Sequence, residues 1–205
     1  MDKIICLVIS VLPSQVIKRF FFNICGFKVY NSKIGFFVIF EKKSIKIINS
    51  KIKSFNIILS DYININNSKI SNFNYFKNIN ELIITDSNIG KLNKFNANAK
   101  NKSKKNTLKI NNSFIGKNNY FDLSTDIFID KSKLQNHCQL WTHEFDTLRK
   151  IKFGKISISN NTLIHNNVIV LPDVDIANEI NIYPESVVHK SLNISGNYKS
   201  VLVSK

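Results

Sequence analysis

One short stretch of the 205-residue chain crowds together side chains that can do chemistry: His137-Cys-Gln-Leu-Trp141-Thr142-His143-Glu144-Phe-Asp146. A histidine beside carboxylates is ordinary apparatus for moving a proton. Imidazole is the side chain that titrates near neutrality, and a carboxylate on one ring nitrogen fixes the tautomer and frees the other. His143 is the candidate base, and Glu144 and Asp146 are the nearest carboxylates to orient it. The plainer reading of His143 is a surface histidine where a loop begins. His137, six residues earlier, falls at the equivalent place on a neighbouring side of the repeat described next and reads as structural or ligand-facing.

These residues sit in a strict periodicity. From Ile156 to Val188, apolar residues recur every six positions at Ile158, Ile164, Val170, Ile176, Ile182 and Val188. Two residues before them stand Ile156, Thr162, Val168, Val174, Ile180 and Ser186. Side chains two apart share a strand face, so each hexad reads as a short strand and a tight turn, stacked into a solenoid. Upstream, Val29–Ile34, Ile47–Ile52, Ile65–Ile70, Ile84–Ile89 and Ile110–Ile115 repeat one motif, with anchors Ile34, Ile52, Ile70 and Ile89 spaced by 18, 18 and 19 residues. Eighteen is three hexads, so the coil has three sides. The Asn/Asp-Ser pair before most anchors suits a corner, because Asn and Asp tolerate left-handed backbone and Ser bonds locally. A second apolar residue follows each anchor by six, at Phe40, Ile58, Phe76, Phe95 and Phe121. The low-complexity run from Asn96 to Asn106 accounts for the longer interval before Ile115 and reads as an exposed loop.

The expectation is therefore an all-β, three-sided parallel β-helix of hexapeptide repeats with a short N-terminal helix, in one domain over 1–205. Within it, 1–27 is an apolar segment and capping helix, 28–190 is the β-helix with loops near 96–106 and 143–155, and 191–205 is a C-terminal tail. The run from Ile4 to Leu12 is too short to span a bilayer and lacks a signal-peptide cleavage site. After Pro13-Ser14, the residues Val16, Ile17, Phe20, Phe21 and Ile24 fall at helical spacing. That helix can cap the open end of the solenoid or rest on an anionic membrane surface.

Three cysteines, Cys6, Cys25 and Cys138, make neither a metal spacing nor an even disulfide set and read as reduced thiols. The formal charge of +15 draws polyanions, yet no aromatic-basic signature of nucleic-acid binding accompanies it. A solvated basic surface and a phosphate-bearing ligand both remain open.

The run Gln139-Leu-Trp-Thr-His143, followed by Gly154-Lys-Ile-Ser-Ile158 and Val168-Ile-Val-Leu-Pro-Asp-Val-Asp-Ile-Ala177, resembles the left-handed β-helix acyltransferases. Within them it is similar to sugar and polysaccharide O-acetyltransferases of bacterial surface-glycan synthesis. The closing Gly196-Asn-Tyr198-Lys-Ser200 is similar to the family's tail. The resemblance implies a left-handed coil, a homotrimer with active sites between subunits, acetyl-CoA as donor, no metal, and the histidine of the Thr-His pair as catalytic base. It implies a cytoplasmic enzyme, with the inner face of the cytoplasmic membrane as the place where the N-terminal segment would make peripheral contact. Trp141 would stack on the acceptor sugar or close the trimer interface, and His137 would face substrate. An oxyanion would draw on irregular backbone after His143. Where the family keeps glycine or alanine after the inward residue, this chain has Ser159, His165, Leu171, Ala177, Tyr183 and His189. Ser159 and Ala177 fit a donor channel, with Lys199 beyond them, whereas His165 and Tyr183 would obstruct it or lie on another face. The set His137, His143 and His165 lacks the spacing of the β-helix carbonic anhydrases. An amine acceptor on a sugar nucleotide and a catalytically inactive, glycan-binding scaffold are the alternatives.

Overall fold

The computed structural model describes residues 2–41, 44–59, 62–77, 79, 81–96 and 107–199. The loop expected over 96–106 falls almost wholly on residues 97–106, outside the described set, as does the tail beyond residue 199. Strands of two to four residues wind into three parallel sheets, each strand pairing with its equivalents one coil before and after. The first side carries Ile156–Ile158 on Val174–Ile176, the second Leu163–Ile164 on Ile180–Ile182, and the third Ile169–Val170 on Val187–Val188. The second side is the longest sheet, nine strands from Lys33–Ile34 to Gly196–Tyr198. The closing Gly196–Tyr198 is thus a further rung, paired with Ile180–Ile182.

The repeat works because each hexad turns its anchor inward. The anchors Ile34, Ile52, Ile70, Ile89 and Ile115 and the third-side residues Phe40, Ile58, Phe76, Phe95 and Phe121 are all buried. Phe76, Phe95 and Phe121 stack with ring centroids 4.5 Å apart at each step, one ring per coil. Polar ladders hold the corners. Between first and second sides, the Ser50 amide donates to Ser32 Oγ, Ser68 to Ser50 and Ser87 to Ser68, at 3.0–3.1 Å. Between second and third sides, buried Asn74, Asn93 and Asn119 donate their amides to the side-chain oxygens of Asn56, Asn74 and Asn93. Each ladder satisfies backbone groups that a tight turn would otherwise strand away from water. Asn31, Asn49, Asn67, Asp86 and Asn112 turn with φ between 43° and 49°, the left-handed conformation that their short polar side chains tolerate.

The N-terminal region forms two helices where one was expected: α1, Asp2–Ser10, and α2, Gln15–Ile24. The helix covers the first coil with its polar stripe, contrary to what hydropathy suggests. Gln15 acts as a surrogate peptide, its Nε2 donating to Ile34 O and its Oε1 accepting from Ile34 N. Asn23 does the same with Val29. Lys18, fully buried, donates to the carbonyls of Ile34 and Gly35 and lies over the Phe36 ring. The cause is the nature of a solenoid end: it presents unpaired backbone donors and acceptors, which an amide side chain answers and an alkyl chain does not. Phe22 alone enters the core from α2, packing edge-on against Phe27 and Phe40. Among the described residues no helix is long and apolar enough to cross a membrane.

Candidate active site

The coil leaves the third side after Gln139–Leu140 and would turn directly into the first side. Instead it makes an excursion, an antiparallel hairpin in which His143–Phe145 pairs with Ile151–Phe153. This replaces the irregular backbone expected after His143: the strands pair with each other, and the Gly154 amide donates to Thr142 O as the coil resumes. At Gly154 a Cβ would stand 2.3 Å from the Asp173 amide nitrogen, so the return to the first side needs glycine.

His143 sits at the foot of the hairpin with a side-chain exposure of 13%. Its Nδ1 lies 2.6 Å from Oδ2 of Asp122, whose side chain is wholly buried. The same Oδ2 accepts from the Thr142 amide at 3.0 Å, and Thr142 Oγ1 is 3.0 Å away. Ser124 Oγ donates to Oδ1 at 2.7 Å and stands 3.2 Å from His143 Nδ1. A buried carboxylate is tolerable only when its oxygens are occupied in this way. The network assigns the imidazole proton to Nδ1 and leaves the Nε2 lone pair free. Around the ring stand Trp141, Phe145 and Phe153, with centroids 6.1, 6.2 and 6.4 Å from it.

The carboxylate that orients His143 is therefore Asp122 and not Glu144 or Asp146. Glu144 is an exposed hairpin residue opposite Lys152. Asp146 Oδ1 accepts from the amides of Leu148 and Lys150 and so caps the hairpin turn. Asp122 is 21 residues before His143, on the preceding coil. Its signal in the sequence is the register: Phe121 pairs with Leu140, which places Asp122 beside Trp141 and under Thr142-His143.

The remaining candidates divide among three corners. Trp141 joins His143 between third and first sides, its ring 4.9 Å from Tyr120 and its Nε1 donating to Gln139 Oε1. Ser159 and Ala177 stack one coil apart between first and second sides. His137 turns the corner between second and third sides with φ 61° and bonds to Asn118. His165 and Tyr183 are at that corner too, their rings stacked at 5.9 Å, with Lys199 just past the strand that pairs below Tyr183. They thus lie on a different edge of the same chain from both Ser159/Ala177 and His143. Cys138 is buried under the His165 carbonyl, and burial pushes its thiol up to about 11, which keeps it protonated and inert. One cleft of about 460 Å³ lies on the second side, lined by Lys51, Lys53, Lys69 and Phe114.

No protein-family model matches the chain, and no curated protein does. Among solved structures it is similar to the polysialic acid O-acetyltransferase OatWY, with a TM-score of 0.51 and 14% identity over 82% of each chain. It is also similar to AntD, an N-acyltransferase from Bacillus cereus solved with dTDP and coenzyme A, with a TM-score of 0.43 and 17% identity over 84% of this chain and 81% of that one. A third is the polySia-specific acetyltransferase NeuO, at 0.44 and 16% identity over 84% and 74%. The likeness establishes the fold: the chain is a left-handed parallel β-helix of hexapeptide repeats, as its periodicity implies.

Proposed function

We propose that the chain transfers an acetyl group from acetyl-CoA to a hydroxyl of a sugar, in a surface polysaccharide or its precursor. The observation that carries this reading is the His143–Asp122 pair, a histidine held by a buried carboxylate with its second nitrogen free. His143 Nε2 takes the proton of the acceptor hydroxyl as the oxygen attacks the thioester carbonyl. The tetrahedral intermediate collapses with cleavage of the C–S bond, and the imidazolium returns the proton to the leaving sulfur, giving the ester and free thiol. Asp122 stabilises the imidazolium without itself taking the proton. Trp141, 6.1 Å from His143, supplies an aromatic face for the sugar ring. The fold shared with a polysialic acid O-acetyltransferase supports the same reaction class.

The reading supposes a homotrimer. Phe145, Leu148 and Ile151 of the hairpin that begins at His143 stand exposed, a surface suited to a second copy. A second copy would also bring the corner of Ser159 and Ala177, or that of Lys199 and His137, toward His143, as a donor and acceptor site between subunits requires. Use of acetyl-CoA puts the reaction in the cytoplasm.

Titration with acetyl-CoA should raise the unfolding temperature saturably, because a ligand of the native state stabilises by mass action. With hydroxyl and amine sugars offered in parallel, the product should be a base-labile ester, and His143→Ala should lower transfer about a hundredfold or more. Absence of acetyl-CoA binding, or full activity in the alanine variant, would overturn the assignment; an alkali-stable amide would move it to nitrogen.

A further inference from the structure

Helix α2 at the N-terminal end wears its amphipathicity inside out, and α1 buries Cys6 and Ile9 beside it while leaving Ile4 and Val8 outside. Gln15, Lys18 and Asn23 face the first coil, and the apolar stripe faces away from the protein. Ile4 is 71% exposed, Val16 66%, Phe20 61% and Ile24 65%, with Val8 and Ile17 between them. Scattered apolar residues are normal on a protein surface; large ones gathered on one face of two adjoining helices mark an interaction site. Helix α2 cannot roll over to bury its share, because its polar side chains already serve as the missing strand partners of Val29 and Ile34.

We infer that this face seats the protein on an anionic lipid surface, with the helices lying in the headgroup layer and the solenoid standing on its end. Helices of 9 and 10 residues are too short to cross a bilayer and suited to lying in its interface. Charge selects the occupant. Arg19 adjoins Phe20 on α2, and from Gln15 a column of lysines, Lys33, Lys51 and Lys69, runs in register along the second side. The whole chain carries +15, which favours anionic headgroups. Neither the helices nor the lysine column enters the acyl-transfer reading, and the inference stands if that reading fails.

The test is co-sedimentation of the full chain with vesicles of phosphatidylcholine alone and of phosphatidylcholine mixed with phosphatidylglycerol, at physiological salt. Binding should require the anionic lipid, and Phe20→Ser combined with Ile24→Ser should weaken it tenfold or more at an unchanged unfolding temperature. Loss of binding to both vesicle types would overturn the inference. Equal binding of variant and wild type would also overturn it, reducing the contact to adsorption of a cationic surface. Concentration-dependent self-association that the double substitution abolishes, without vesicle binding, would assign the face to a second copy.

Discussion

At the scale of single residues, the site turns on one hydrogen bond between neighbouring coils. Asp122→Asn keeps the shape but can donate to Nδ1, which would place the imidazole proton on Nε2 and remove the base. Its kcat should fall about a hundredfold or more with KM little changed, and Glu144→Gln and Asp146→Asn should leave kcat within about twofold; steady-state kinetics on the three variants checks the assignment. A large loss in the Glu144 or Asp146 variant would return the orienting role to the hairpin. His143 was legible in the sequence because a Thr-His pair stands at a break in the hexads. Its partner was not, since proximity along the chain favours Glu144, while proximity in a solenoid is a matter of register, and Phe121 lies opposite Leu140. Side-chain type points to the base, and only the coil count points to the acid.

At the scale of elements, periodicity determined the strands but left open the face by which the cap packs. Hexad anchors were legible because each must be apolar for the coil to close, and every one described is buried. Helix α2 escaped the same logic, because its partner is a row of backbone amides and carbonyls, for which Gln15, Lys18 and Asn23 are the fitting complement. Lys18 tests this arrangement through pH. Desolvation by burial lowers its pKa from the ordinary 10.5, so above the folded value the unfolded chain binds more protons than the native one. Stability of the wild type relative to Lys18→Met should therefore rise as pH climbs from the lowered value toward 10.5, and level off on either side. Denaturant melts of both proteins across that range would show it, and a flat difference would mean that the ammonium is solvated.

At the scale of the whole molecule, the solenoid is a row of near-identical coils whose first is sealed by the helical pair. Removing residues 2–27 should expose the strands Val29–Tyr30 and Lys33–Ile34 as free edges and convert the protein into one that self-associates end to end; light scattering against the full chain reads this out. A truncated protein that stays at the full chain's assembly state would show that the seal is dispensable. The coil also behaves as a unit of length. Third-side strands from Ile39–Glu41 to Gln139–Leu140 place His143 five coil spacings from the first, ~24 Å at the usual strand separation. If the sealed end rests on a lipid surface, the catalytic corner stands at a fixed altitude above it. Gain or loss of eighteen residues would move that altitude by one step of ~5 Å while every side chain kept its face. The repeat is in this sense a graduated rod, and the number of coils below His143 decides how far from its foot the chemistry is done.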